Sequence, residues 1–262
     1  MHLVMAPKRW ALNGRIAIAV AFAAAMALGF GTPAAAGHDV LRNALGLEHM
    51  DEGRAGASPQ IARYNIDEGG VFVLDRSSPH PLLKFDDSPE IWVLSQARGP
   101  RGDIIYKNDI GEVMLRATRL GGMTVFTAKR PAGSAALLVG ATAPLRMPTL
   151  GPVVLYQRLF QASVRATRSA QHLVEFEAPD ADPYSDALIA DAAVITVEAF
   201  SNLASQPDTR PFLSRIGKIA FSEGPKAQVA LQGGVLLIVV VPKEGIAGRP
   251  SSRRIQRAIS GR

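Results

Sequence analysis

The chain has 262 residues, which is enough for one composite domain with a sizeable core. It contains no cysteine, so disulfides do not hold its fold. The formal net charge is +6, but three of the basic residues and none of the acidic ones lie in residues 1–36, which leaves +3 on the rest. So mild a charge excludes a strongly basic nucleic-acid-binding domain.

Residues 1–36 have the three parts of a secretion signal. Basic residues come first, Ile16–Phe30 is an uncharged apolar stretch, and Ala34–Ala36 supplies the small residues that signal peptidase recognises. We expect cleavage before Gly37 and a periplasmic or secreted protein. The alternative is a retained N-terminal anchor, but this apolar stretch is shorter than the roughly 20 residues that span a membrane. We expect no transmembrane segment after the signal is removed.

The next two segments differ in amino-acid composition and pattern. Residues 37–62 are polar and contain Gly and Ala, which predicts a flexible lead-in. Residues 63–130 alternate short runs of β-branched and aromatic residues with turn residues, which predicts a meander of antiparallel strands. Because an open sheet of this size exposes its edges, we expect a small barrel or a strongly coiled sheet. The predicted strands are 64–67, 71–75, 82–85, 91–95, 103–107, 113–118 and 123–127.

A linker and a helical region are expected next. Residues 131–150 are rich in Ala, Gly and Pro and predict the linker. Residues 151–218 carry helix start signals, with Pro152 at a first helical position and Asp182 as a cap. The first two helices are expected to form an antiparallel pair. We predict helices at 152–177, 183–206 and 208–218.

Residues 219–242 predict a short C-terminal sheet, with strands at 219–222, 228–231 and 235–241. Residues 243–262 predict a basic amphipathic tail, capped by Ser251 or Ser252. Its candidate contacts with an anionic surface are Arg253, Arg254 and Arg257. A solvated end helix is the alternative interpretation.

The predicted fold class is therefore α+β. An N-terminal antiparallel β-meander or small barrel packs against a helical hairpin and a short C-terminal β-sheet. In this arrangement the apolar strand at 235–241 and the helix pair form the core.

One segment combines basic groups with an aromatic side chain. Arginines on its Gly- and Pro-containing loop are suited to a carboxylate or phosphate, because a guanidinium donates two parallel hydrogen bonds to such a group. A hairpin turn with solvated charges is the alternative interpretation. The candidate ligand-binding residues are Arg98, Arg101, Tyr106 and Lys107.

The sequence contains no phosphate-loop, dinucleotide-binding or nucleophile-elbow pattern, and its histidines lack the spacing of zinc ligands. We therefore expect no cofactor and no metal. The leading hypothesis is a non-catalytic periplasmic module that binds an anionic cell-envelope component. The alternative is a hydrolase with an acid and a base at the junction of sheet and helices, and whether the protein is an enzyme stays open. The carboxylates available to that hydrolase are Asp86, Asp87, Glu90, Asp182 and Asp186.

Four stretches of the chain are similar to those of a known family. They are Glu68–Asp75, Arg98–Tyr106 with Asn108–Asp109, Leu120–Met123 and Gly248–Ser252. On these stretches, residues 63–255 resemble the domain-of-unknown-function family DUF4908, a group of uncharacterised secreted proteins of Gram-negative bacteria. The resemblance implies an exported protein with one family-specific fold. It implies no established activity, cofactor or catalytic residue.

Overall fold

The computed structural model describes residues Ser58–Gly261, which belong to the compact unit Arg54–Arg262. The predicted signal at 1–36 and most of the lead-in at 37–62 lie outside the described residues. Two sheets and three helices account for most of the described chain.

The first sheet has nine antiparallel strands in the order β4-β3-β2-β1-β9-β8-β7-β6-β5. Its edge strands β4 and β5 are consecutive in the chain and are separated only by Leu94, so the sheet curls into a nearly closed barrel. This confirms the predicted small barrel. The strands are β1 (Ile61–Ile66), β2 (Val71–Asp75), β3 (Leu82–Phe85), β4 (Ile91–Val93), β5 (Ser95–Arg98), β6 (Ile104–Lys107), β7 (Val113–Ala117), β8 (Met123–Thr127) and β9 (Arg130–Ala141).

Alternation along the strands builds the core of the barrel. Phe72 and Leu74 of β2 are fully buried, and the ring of Phe72 stacks on that of Tyr64 with centroids 5.0 Å apart. The other buried residues of this cluster are Ala62, Leu83, Trp92, Leu94, Tyr106, Leu115, Met123, Val125 and Ala136.

Strand β9 lies where the sequence predicts the beginning of a linker. It pairs with β8 on one side and with β1 on the other, so it joins the end of the meander to its start. Its sequence is rich in Ala and Gly, has Val139 as its only β-branched residue and contains no aromatic residue. The pairing of two neighbouring strands holds this segment extended despite its weak intrinsic preference.

Helix α1 (Pro152–Ala170) begins at the predicted proline but ends before residue 177. Gln171 adopts a left-handed conformation with φ 63°, which turns the chain back along the helix. Val174 then donates its backbone N–H to the Thr167 hydroxyl at 3.0 Å and accepts the Ser163 hydroxyl at 2.7 Å. These contacts end the helix and start a strand.

Helix α2 (Asp186–Ala204) packs against α1 as the expected hairpin. Counted from Pro183, it is long and apolar enough to cross a membrane, but most of it is buried inside the protein, as in the core helix of a globular domain. The segment predicted as a third helix is a 3-10 helix over Arg210–Arg215. The last helix, α3 (Ser252–Ser260), starts at a Ser251 cap, as predicted.

The second sheet has four strands in the order β10-β11-β13-β12. Strand β13 pairs with β11 in parallel and with β12 in antiparallel orientation, so the most apolar strand of the chain is an inner strand. Together with α1, α2 and α3 this sheet forms a second apolar cluster, which we call the helical part. The strands are β10 (Glu175–Glu177), β11 (Lys218–Glu223), β12 (Gln228–Gln232) and β13 (Val235–Val240).

Candidate functional site

The C-terminal segment just before α3 joins the helical part to the barrel. We call the polar contacts between them the seam. The seam consists of Glu90, Ile91, Asp109, Asp191, Arg249, Ser251 and Ser252.

Arg249 is the centre of the seam, and only 1% of its side chain is exposed. Its Nε forms an ion pair with the Asp191 carboxylate on α2. Its Nη2 donates to the carbonyl oxygen of Ile91 at 2.9 Å. Because β4 pairs only with β3, the Arg249 guanidinium satisfies one carbonyl that no neighbouring strand binds.

Two serines complete the seam. Ser251 donates its backbone N–H at 3.1 Å and its hydroxyl at 2.5 Å to the Asp109 carboxylate, in the turn after β6. Ser252 donates its backbone N–H at 2.9 Å and its hydroxyl at 2.5 Å to the Glu90 carboxylate, just before β4. Both carboxylates thus hold the start of α3 against barrel turns.

Burial raises the pKa of Glu90 from 4.5 to about 7. The hydrogen bonds from Ser252 and the charge of Arg249 act in the opposite direction, and the charge of Asp109 raises the pKa further. Glu90 therefore titrates near neutral pH while fully enclosed in the seam.

The carboxylates of the hydrolase hypothesis are distributed over three places. Asp86 and Asp87 are exposed in the turn between β3 and β4. Both carboxylate oxygens of Glu90 are hydrogen-bonded to Ser252. Asp186 is the first residue of α2, whereas Asp182 precedes it and accepts the N–H of Tyr184 at 2.9 Å, so Asp182 caps the 3-10 helix Pro183–Ser185 rather than α2 itself.

Two further observations concern these acidic groups. Burial, with a contribution from the charge of Asp182, raises the pKa of Asp186. Within Ser58–Gly261, no three His, Asp or Glu side chains are arranged to hold a metal ion.

The four predicted ligand-binding residues do not form one cluster. Arg98 and Arg101 are exposed at one end of β6, in the connection from β5. Lys107 lies at the other end of β6. Tyr106 is only 1% exposed and belongs to the barrel core, so its side chain does not lie on the surface with the arginines.

The predicted basic tail is packed on the domain through its apolar face. Ile255 and Ile259 are buried, whereas Arg257 is exposed and Arg254 is half-buried. Arg253 is half-exposed and its Nε lies 3.7 Å from the Glu112 carboxylate of the turn after β6.

Arg253 also lines a partly open cavity of about 990 Å³ at one end of the barrel. The other lining residues come from the hairpins β1–β2, β3–β4, β6–β7 and β8–β9. Because consecutive strands are antiparallel, the turns of these four hairpins lie at the same end of the barrel. Its apolar wall includes Ile66, Phe85, Trp92, Met114, Val125 and Phe126.

Charged side chains of both signs surround this apolar wall. Glu68 pairs with Arg130 at 2.6 Å, and Arg116 pairs with the buried carboxylate of Asp103 at 2.5 Å. Lys129 is exposed in the β8–β9 turn and, among the described residues, forms no ion pair. The cavity therefore combines an apolar interior with a rim of both signs, on which Lys129 is the basic lining residue without an ion pair among those described.

Sequence reasoning singled out Asp87 and Arg253 among the lining residues, but not the cavity. The wall residues come from four separate hairpins, and each of them looks like an ordinary strand residue in its own segment. Only closure of the sheet brings them together. Trp92 is the one local signal that could have drawn attention to this wall, because it is the only tryptophan of the sequence after residue 36.

Comparison with known proteins identifies the family and no relative of known function. The model of the family described as "Domain of unknown function (DUF4908)" matches residues 40–259, so the chain belongs to this family. No curated protein and no solved structure matches the chain.

Proposed function

We propose that this protein is an exported, non-catalytic module that binds an amphipathic, anionic component of the cell envelope in the barrel cavity. The observation that carries the proposal is the cavity itself. Its volume of about 990 Å³ is at the upper end of the range of small-molecule sites, roughly 300–1,000 Å³. The mouth of a β-barrel is also a common place for such a site.

The lining supports one chemical class of ligand. An acyl chain or another apolar body matches the wall that contains Phe85, Trp92 and Met114, and each methylene removed from water contributes about 0.8 kcal/mol. An anionic headgroup matches Lys129 beside that wall, since Arg253 already faces the Glu112 carboxylate. This combination favours a lipid-like molecule over a purely polar one.

Export is supported by the sequence. The basic residues, the apolar stretch Ile16–Phe30 and the small residues Ala34–Ala36 have the order of a cleaved signal. Cleavage before Gly37 leaves the compact unit Arg54–Arg262 intact. The ligand would then be met in the envelope, where acyl-chain amphiphiles are abundant.

Trp92 provides a direct test, because it is the only tryptophan in residues 37–262 and it lines the cavity. Titration of residues 37–262 with palmitate should change the Trp92 emission in a saturable way. Met114→Glu places a charge on the wall and should weaken binding by about tenfold or more. Leu120→Glu, at a 98% exposed position in the β7–β8 turn, is the matched control and should leave the affinity unchanged.

Charge variants separate this site from the loop predicted from sequence. Lys129→Glu should weaken palmitate binding, whereas the double variant Arg98→Ala/Arg101→Ala should not. The opposite result would move the ligand to the β5–β6 connection and contradict the cavity proposal. Failure of palmitate to bind to the folded wild-type chain would contradict the acyl-chain assignment.

A further inference from the structure

The barrel wall has a side opening at its cavity end. Strand β4 pairs only with β3, so its other edge has no strand beside it. Strand β5 continues from β4 after Leu94, and Ser95 pairs with Lys107 at the end of β6. This register places the turn 108–112 across from the unpaired edge of β4. The β3–β4 and β6–β7 hairpins therefore face each other here without strand pairing between them.

Residues 249–253, which we call the latch, fill this opening. On the β4 side, Arg249 donates to the carbonyl oxygen of Ile91 at 2.9 Å. Ser252 donates its backbone N–H at 2.9 Å and also its hydroxyl to the Glu90 carboxylate. The latch is therefore hydrogen-bonded to the β3–β4 hairpin through two of its residues.

The latch also contacts the β6–β7 hairpin on the other side of the opening. Ser251 donates its backbone N–H to the Asp109 carboxylate at 3.1 Å, and the Nε of Arg253 lies 3.7 Å from the Glu112 carboxylate. Glu112 and Arg253 line the cavity, as does Trp92 of β4. Because these lining residues belong to the latch and to both hairpins, separation of the latch from a hairpin would open the cavity sideways.

Glu90 makes the contact between the latch and β4 sensitive to protons. It is only 1% exposed and, among the described residues, takes part in no ion pair. Burial raises its pKa from 4.5 to about 7, and the charge of Asp109 acts in the same direction, whereas the hydrogen bonds from Ser252 and the charge of Arg249 oppose it. The ionisable groups on the segments that meet there are Asp109, Glu112, Asp191, Arg249, Arg253 and Arg254.

We propose that the latch is a proton-controlled gate at the side of the barrel cavity. Closure keeps the Glu90 carboxyl away from water, which favours its protonated form, whereas the ionised form is stabilised when the latch separates from β4 and water enters. The preference for the closed latch is therefore complete below about pH 4.5 and is lost as the pH rises through about 7. Ile255 and Ile259 anchor the rest of α3 in the core of the helical part, so the change is confined to the opening.

Acrylamide quenching of Trp92 emission tests the gate without a ligand, because Trp92 is the only tryptophan in residues 37–262 and lines the cavity. The quenching constant of the wild type should rise severalfold between about pH 5 and about pH 8. In Glu90→Gln, which does not titrate, it should stay at the low-pH value. Asp86→Asn, in the exposed turn of the same hairpin, is the matched control and should behave like the wild type.

Hydrogen exchange of the Ser252 backbone N–H reports the latch itself, since this group donates to Glu90. After correction for the intrinsic exchange rate, its opening equilibrium should rise about tenfold or more over the same pH range. It should also be less protected than the N–H groups of α2 at every pH. Equal protection of Ser252 and α2 would show that only global unfolding releases the latch and would overturn the proposal. A quenching constant that does not change with pH, or that changes equally in Glu90→Gln, would overturn it too.

The role of the gate in ligand exchange rests on the proposed function and has its own measurement. Palmitate should dissociate from the wild type faster at about pH 8 than at about pH 5, and the Glu90→Gln variant should not show this acceleration. Any titration of the palmitate carboxyl is common to both proteins. The same acceleration in both proteins would contradict exchange through the latch. Failure of palmitate to bind would contradict the proposed function, and the quenching and exchange results would still decide whether the gate exists.

Discussion

The barrel and the helical part are built around separate apolar clusters, and they differ in the interactions that enclose each cluster. Helices and a mixed sheet enclose the cluster of the helical part through apolar packing. The barrel keeps a cavity at one end and a free edge on β4, and a buried arginine from a distant segment binds that edge. Apolar packing thus completes one half of the molecule, whereas the hydrogen bonds and the Arg249–Asp191 ion pair of the seam complete the other.

The largest effect is expected from removing the Arg249 guanidinium from the seam. Arg249→Met removes the guanidinium and leaves the Asp191 carboxylate and the Ile91 carbonyl without their partner. We expect the free energy of unfolding to fall by about 3–5 kcal/mol. Urea denaturation followed by Trp92 emission reports the barrel, and far-UV circular dichroism at the helix band reports the helical part. The two transitions should coincide in the wild type and separate in the variant.

Arg257→Met is the control for this experiment, because Arg257 is an exposed arginine of α3 further along the same C-terminal segment. It should change the stability by less than about 0.5 kcal/mol and leave the two transitions coincident. Wild-type stability in the Arg249→Met variant would show that the seam does not hold the halves together.

The second effect concerns pH and the buried Glu90. Its pKa of about 7 in the folded protein, against 4.5 for an unperturbed group, means that the folded chain keeps a proton that the unfolded chain has lost. The stability contributed by protonated Glu90 is therefore complete below about pH 4.5 and is lost as the pH rises through 7.

Glu90→Gln removes this titration while it keeps an acceptor for the backbone N–H of Ser252. Between about pH 4 and pH 8, the wild type should lose on the order of 2–3 kcal/mol of stability relative to the variant. Denaturation midpoints measured across this range give the difference directly. Parallel pH profiles for the two proteins would contradict an enclosed, proton-binding Glu90.

The smallest of the three effects is expected at the cap of α3. The Ser251 hydroxyl accepts the N–H of Arg254 at 3.1 Å and donates to Asp109 at 2.5 Å. Ser251→Ala should therefore lower the free energy of unfolding by about 1–2 kcal/mol. Ser260→Ala, at the other end of the same helix, is the control and should have little effect in the same denaturation assay. Equal effects at the two serines would contradict a specific role of Ser251 in the seam.

The elements that pack by apolar periodicity were predictable from the sequence. Val71–Asp75, Leu82–Phe85 and Met123–Thr127 are strands with the predicted bounds, and Pro152 starts a helix as predicted. These segments carry their own signals, because alternation or a start signal is visible within a few residues. The barrel, the helix pair and the short second sheet follow from them.

The seam and the cavity were not predictable, for a physical reason. Glu90 and Ser252 are 162 residues apart in sequence, and nothing in either segment indicates that they meet. The sequence suggested Glu90 only as a carboxylate for a hydrolase and placed Arg249 in a basic tail, since a charged side chain is mostly exposed unless a distant partner buries it. Strand β9 was missed because its neighbours, rather than its own composition, keep it extended.

The central claim is that the barrel cavity holds an amphipathic envelope molecule, and native mass spectrometry tests it most directly. The full chain would be produced in a Gram-negative host, recovered after export and examined beside its Met114→Glu variant. We predict that the measured mass corresponds to a wild-type chain that begins at Gly37. We also predict that this chain carries one bound amphiphile and that the variant carries none. A folded wild-type protein that carries no amphiphile, even after incubation with an envelope lipid extract, would contradict the account.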